Sequence, residues 1–229
     1  MKVTALIPVK GFRNAKQRLS AILNSAQREA LAESMFRDVL NQVLRARGLF
    51  ETVVVTGDDK VAQIAGSLGA TVLRENAETG ETDAVDFART SLKNAGCEAV
   101  LIVPGDMPLV RSADIALVLE QLPAGQIAPF ALLVPSHDRL GTNALLLAPP
   151  DIIKLRFGYD SFNYHLSQVS AQRLPVRSFD NKRIALDIDE PRDLERFLSS
   201  AVDSTETLET LRRFVAEKRS EPIRGVGEA

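Results

Sequence analysis

A chain of 229 residues fits one large α/β domain, and with 45% hydrophobic and 25% charged residues it carries the apolar content of a full core, unlike a disordered or fibrous protein. Its 28 basic and 30 acidic residues leave no positive excess, so broad attachment to nucleic acid or an anionic membrane is not expected and any anion site must be local. The single Cys97 has no intrachain partner, the opening "MKVTALIPVKGFR" holds too short an apolar run for a signal peptide, and no stretch nears the roughly 20 apolar residues of a membrane span, so the expected location is cytoplasmic.

In chain order, the continuous apolar run "VTALIPV" reads as a strand buried on both faces, and a basic loop follows it. Ser25 is expected to cap a helix whose Leu31, Met35, Val39 and Val43 recur near a 3.6-residue period up to Gly48. "TVVVTGDD" repeats the strand-to-loop pattern, "KVAQIAGSLG" is a short helix closed by Gly69, and "ATVLRE" is a third strand. "TDAVDFARTSLKNAG" reads as a helix begun by Thr82 and stopped by Gly96, and "EAVLIVPGDMP" as a central strand entering a polar loop.

Helix "SADIALVLEQL", strands "FALLVPS" and "NALLLAP", a Ser161-capped helix "SFNYHLSQVSA", strand "QRLPVRSF" and helix "EPRDLERFLSS" complete the alternation. The pattern predicts α/β architecture: a single-domain, mostly parallel, doubly wound sheet with right-handed crossovers over residues 1–202. From about residue 203 a helical extension places Leu208, Leu211, Phe214 and Val215 on one stripe, suited to its own domain or a second subunit, before a Gly-rich end expected to fray.

In open α/β sheets ligands bind beyond the carboxyl ends of the strands. Four segments fall there. In "PVKGFRNAKQRL", Lys10, Arg13, Lys16 and Arg18 crowd a Gly-containing loop fit to cradle a polyphosphate, although neither G-x-x-x-x-G-K-[ST] nor G-x-G-x-x-G occurs. In "VLIVPGDMPLV", Asp106 follows a buried strand in a turn fixed by Pro104, Gly105 and Pro108; its alternative role is that of a turn former. In "RIALDIDEP", strand alternation would set Asp187 and Asp189 side by side, where they repel unless a cation joins them. With Asp106 they make a trio suited to Mg²⁺, which prefers carboxylate oxygens, waters and phosphates.

The fourth region comprises "RLGTNALLL" and "RFGYDSFNYH", where Thr142, Gly158 and Ser161, with Arg139 and Arg156 beside them, suit a small phosphorylated acid. His165 lies one turn beyond Ser161 and either touches the ligand or satisfies a buried contact. Cys97 reads as a core residue, not a nucleophile, and with only His137 and His165 beside it a zinc cage is not expected.

With "PVKGFRNAKQRL", "VPGDMPL", "GTNALLL", "FGYDSFNYH" and "LDIDEPRDL" in this order, the chain resembles the 2-phospho-L-lactate guanylyltransferase family of coenzyme F(420) biosynthesis, from Met1 to about Ser200. The resemblance implies a nucleotidyltransferase fold of the glycosyltransferase-A type. It further implies a Mg²⁺-dependent transfer of GMP from GTP to a small phosphorylated carboxylic acid, release of pyrophosphate, and a homodimer.

On this resemblance Asp106, Asp187 and Asp189 hold metal and act with Lys16 in catalysis. Pro8, Lys10, Gly11, Lys16, Arg18, Asp83 and Gly105 contact the nucleotide. Thr142, Gly158, Ser161, Arg139 and His165 contact the acid. Where relatives often read Gly-Leu-Asn-x-Ala, this chain has "GETDAV", residues 80 to 85, a departure that points away from 2-phospho-L-lactate; 3-phospho-D-glycerate is the favoured acid, with phosphoenolpyruvate and 2-phospho-L-lactate as the others. A cytidylyl- or sugar-nucleotidyltransferase, or a catalytically silent GTP-binding module, are the other readings.

Overall fold

Consecutive apolar residues bury both faces of a strand, and such runs form the middle of the sheet. In the computed structural model, which describes residues 1–75, 80–123, 129–200 and 204–220, these are β1 (Val3–Pro8), β2 (Glu51–Thr56), β4 (Ala99–Ile102), β5 (Phe130–Pro135) and β6 (Thr142–Ala148). The shorter, more exposed β3 (Thr71–Arg74) and β7 (Val176–Ser178) are the edges of a seven-stranded sheet ordered β3-β2-β1-β4-β6-β5-β7. β1 runs parallel to β2 and β4, β2 to β3, and β5 to β7, whereas β6 is antiparallel to both β4 and β5. That one reversal brings the start of β6 to the edge where β1 and β4 end.

Helices cover both faces. Alternate residues such as Ala5 and Ile7 pack on α1 (Ser25–Leu44), α2 (Asp59–Leu68) and α4 (Ser112–Leu119), while Leu6 packs on the other side with α3 (Glu81–Asn94) and α5 (Ser161–Ala171). The mostly parallel, doubly wound sheet is therefore as the strand runs imply.

Several local expectations give way. Asn24, not Ser25, caps α1: its side chain accepts from the Gln27 amide at 2.9 Å and Gln27 returns the bond to the Asn24 amide at 3.1 Å. Thr82 does not begin α3, which starts one residue earlier behind Gly80; its hydroxyl instead accepts from the Phe157 amide at 3.0 Å. Ser161 opens α5 without capping it. The "RIALDIDEP" segment is not a strand. It is an irregular link into α6 (Pro191–Ser200), fixed by His137 N–H to the Ala185 carbonyl and Ile188 N–H to the Asp106 carbonyl. Cys97 is half-buried at the far end of β4, its thiol donating to the Ala99 carbonyl, and is not a core residue.

The extension is a helix, α7 (Glu206–Ser220), whose Leu208, Leu211 and Phe214 join Leu31 and Met35 of α1 and Phe197 of α6 in a third apolar cluster. The Asp38 carboxylate accepts from the Glu206 and Thr207 amides at 3.0 and 2.9 Å, compensating the open amides of the first turn. Val215 is 53% exposed, outside the buried stripe, and the expected frayed end lies beyond the described residues. Because the stripe packs on its own chain, Leu211→Ala should destabilise the fold by about 2–5 kcal/mol in urea unfolding. A loss below about 1 kcal/mol would show that α7 unfolds separately.

Among the described residues no helix is long and apolar enough to cross a membrane.

Candidate active site

The loops after β1 and β4 and the link before α6 converge on three carboxylates. Asp106, Asp187 and Asp189 each offer an oxygen, and these oxygens lie within 4.8 Å of one another. Lys16, 9% exposed at its side chain, reaches between them: its Nζ stands 2.8 Å from Asp106 and 2.7 Å from Asp189. Asp187 is left out of that clamp and accepts from Asn143 Nδ2 at 3.0 Å, the same amide that donates to the Ile184 carbonyl at 2.9 Å. Among the described residues the other Asp106 oxygen, Oδ1, is buried with no hydrogen-bond partner.

A buried oxygen without a donor is costly unless a cation meets it. Oxygens around one Mg²⁺ stand at most about 4.2 Å apart, so a small closure brings all three acids onto one ion. The residues fit a hard divalent cation.

Two hollows meet at this cluster. The first, about 750 Å³, lies over the β1 loop and is lined by Pro8, Lys10, Gly11, Arg13 and Lys16 with Gly105 opposite. Two glycines keep the chain close to its neighbours there: a Cβ on Gly11 would fall 2.6 Å from Asp58 Oδ2 and displace that carboxylate, and one on Gly105 would fall 3.2 Å from Val9 Cγ2. The second, about 600 Å³, is lined by Thr142, Gly158 and Ser161 and by Arg18, Arg192 and Arg196. Asp106, Asp189 and Glu81 line both hollows. A ligand in each would therefore face the other across the acids.

A family described as guanylyl transferase CofC like matches residues 3–226. The chain belongs to that family. The phosphoenolpyruvate guanylyltransferase of Rubrobacter xylanophilus is 38% identical over 200 residues, spanning 87% of this chain and 95% of the relative. The 3-phospho-D-glycerate guanylyltransferase of Colwellia psychrerythraea is 34% identical over 204 residues, 88% of this chain and 95% of the relative. In fold, a Desulfovibrio desulfuricans G20 protein described as a nucleotide-diphospho-sugar transferase superposes with a TM-score of 0.76 at 19% identity, covering 96% of this chain and 98% of that one. Membership makes the protein a nucleotidyltransferase, and the shared architecture is the nucleotidyltransferase type that the sequence resemblance implies.

Within this guanylyl transferase framework the structure gathers most of the expected residues and displaces some. Pro8, Lys10, Gly11, Lys16 and Gly105 line the first hollow. Arg18 does not; it lines the second, its guanidinium 3.4 Å from Glu190. Asp83 is exposed and lines neither, whereas Glu81, two residues earlier, lines both. Residues two apart on a helix point about 200° apart, so the two acids cannot share a face.

On the second hollow, Thr142, Gly158 and Ser161 are in place. Arg139 is turned away to Asp180 at 3.1 Å and over the Phe162 ring, and Arg156 lies over Tyr164. His165 is fully buried behind Thr142 and lines neither hollow. The cations that face the second hollow from α6, Arg192 and Arg196, escaped the sequence reading. Their i, i+4 spacing in "PRDLER" is the available signal.

Burial first, then the Asp106 charge, pushes Asp187 up to about 6. The same two causes push Glu81 up to about 7, against Lys10 and Lys16. Burial alone would raise Asp189, but Lys16 outweighs it and holds that carboxyl below its usual range. Lys16 shows the converse: burial would lower it, and Asp106 and Asp189 together drive it above the ordinary lysine value.

A carboxyl raised on folding contributes stability below its unfolded pKa that is lost as pH rises through the folded one. For Glu81 that window runs from the ordinary 4.5 to about 7. Without metal, Glu81→Gln should melt above the parent at pH 8 and equal to it at pH 4.5, as followed by circular dichroism; a gap of the same size at both values would remove Glu81 from this balance.

Proposed function

We propose that the protein transfers GMP from GTP to the phosphate of a small three-carbon acid. A phosphate oxygen of the acid bonds to the α-phosphorus of GTP, the bond from that phosphorus to the bridging oxygen of the β-phosphate breaks, and pyrophosphate leaves with that oxygen. The observation carrying this reading is the meeting of two hollows, one with Lys10, Arg13 and Lys16 in its lining and the other with Arg18, Arg192 and Arg196, at one cluster of carboxylates.

The main obstacle is repulsion between two phosphates brought to within bonding distance. Lys10, Arg13 and Lys16 on the first hollow offset the triphosphate charge, and Arg18, Arg192 and Arg196 on the second offset that of the acid. Fixing both reactants on a rigid sheet edge makes the encounter effectively intramolecular. Asp106, Asp187 and Asp189 would hold Mg²⁺, which supplies further neutralisation of developing phosphate charge. No side chain is required as a covalent carrier.

The acid is 3-phospho-D-glycerate in our first choice, in line with the 34% identical relative, with phosphoenolpyruvate second on the 38% identical one, and 2-phospho-L-lactate third because of the "GETDAV" departure. The resemblance supports a role in coenzyme F(420) side-chain assembly and a homodimer, and the single cysteine supports a cytoplasmic location; light scattering at two concentrations tests the dimer.

The deciding experiment incubates the protein with Mg²⁺, each nucleoside triphosphate and each acid, and weighs the products. Pyrophosphate should appear with GTP and one acid in particular. Preference for CTP would move the protein to cytidylyl transfer, and GTP binding with no pyrophosphate from any pair would leave a silent binding module.

A further inference from the structure

The buried His165 is oriented by two contacts whose chemistry allows one arrangement of hydrogens. Its Nε2 faces the backbone amide of Arg156 at 3.2 Å, and its Nδ1 faces the Thr142 hydroxyl at 3.0 Å. A backbone amide can only donate, so Nε2 must be the bare, accepting nitrogen. Burial first, and then the charges of Arg156 and Arg89, lower this imidazole to about 4, so near neutral pH the ring carries one hydrogen, on Nδ1. That hydrogen is donated to Thr142 Oγ1.

Thr142 is therefore an acceptor from the protein side, and its own hydroxyl hydrogen must be used elsewhere. The neighbouring Ser161 is loaded the same way: its Oγ accepts from the Thr142 amide at 3.0 Å. Among the described residues neither hydroxyl has an acceptor for its hydrogen, and both residues line the second hollow.

We propose that His165 is a positioning residue, which makes the Thr142 hydroxyl an obligate hydrogen-bond donor to an oxyanion of the acid in the second hollow. This rests on the reading of that hollow as the acid's site. The imidazole thereby favours a ligand atom that accepts, such as a phosphate or carboxylate oxygen, over one that can only donate.

Long-range proton–nitrogen correlation on ¹⁵N-histidine protein should show His165 as the neutral Nδ1–H tautomer from pH 5.5 to 8. Calorimetric binding of 3-phospho-D-glycerate and phosphoenolpyruvate should weaken about 10- to 100-fold in His165→Leu. GTP affinity should stay within about twofold, as expected of coupling confined to one hollow. His165→Asn, which keeps a donor near the Nδ1 position, should recover most of the loss, and Thr142→Val with His165→Leu should bind no worse than Thr142→Val alone.

An Nε2–H or charged ring, equal damage from Leu and Asn, or additive losses would overturn the proposal. If the parent protein binds none of the acids while the tautomer is as described, the acid-site reading fails and this inference with it; if acids bind and the tautomer or the coupling is wrong, only this inference fails.

Discussion

Asp187→Asn is expected to reduce kcat/KM by about 10²–10⁴, the scale of several kcal/mol of lost charge stabilisation. The substitution is nearly isosteric, and Asn143 dictates which way the new amide faces. Asn143 Nδ2 already donates to Asp187 Oδ1, so the amide must keep its carbonyl there. Its NH₂ then takes the place of the other carboxylate oxygen, where it repels a cation. Lys16 is not disturbed, because its two partners are Asp106 and Asp189.

The stability effect should have the opposite sign. Asp187 is raised to about 6, so it contributes stability below its unfolded value and loses it as pH climbs through 6. At pH 7.5 in a chelator, the variant should melt at or above the parent temperature. Adding Mg²⁺ should raise the melting point of the parent and move the variant much less. A variant that keeps more than about a tenth of parental kcat/KM would sink the cation role of the trio, since loss of a direct ligand should exceed even the 10–100-fold typical of outer-shell partners.

How this site could be read in the sequence depends on the kind of signal each residue leaves. Asp106 was legible because a continuous apolar run ends just before it, and a buried parallel strand delivers its next polar residue to the ligand edge. Asp187 and Asp189 come together by a different route from the one their spacing implies. Strand alternation would align them, yet the link is irregular and is held by single backbone bonds to Asp106 and His137. The link still brings an oxygen of each within 4.8 Å of the other and of Asp106, so the two acids do lie together although no strand places them.

Direction was harder. Nothing local to "TNALLLA" announces that β6 runs against its neighbours, though that reversal is what sets Thr142 and Asn143 beside the carboxylates. Asn143 was missed accordingly, and so was Glu81, because "GETDAV" fixes neither the first helical residue nor the phase of the helix. Arg139 and Arg156 were attributed to the acid by proximity in sequence, but long side chains go where partners are, here Asp180 and the Tyr164 ring.

Lys16→Met should be the second severe lesion, lowering kcat/KM for GTP by about 10²–10³, as expected when a preorganised donor to phosphate is removed. Lys16 occupies the left-handed region, φ 53°, at the entry to a short 3-10 turn, Gln17–Leu19, a conformation that non-glycine residues tolerate only when the surroundings hold them. Those surroundings are Asp106 and Asp189, 90 and 173 residues away in sequence. Breaking a fully buried pair costs about 3–5 kcal/mol, but Asp189 is 45% exposed at its side chain, so the stability loss should fall below that range.

The more telling readout is metal affinity. The ammonium and a divalent cation are drawn to the same oxygens, so the two compete: without Lys16 the trio should bind Mg²⁺ more tightly in calorimetry while turning over more slowly. Lys16→Arg should not restore activity, because a planar guanidinium cannot replace a compact ammonium between two carboxylates. Weaker Mg²⁺ binding by Lys16→Met would instead mean that the lysine holds the acids together for the ion. The 2.7 and 2.8 Å contacts would then be the frame of the cation site and would persist once the ion is bound.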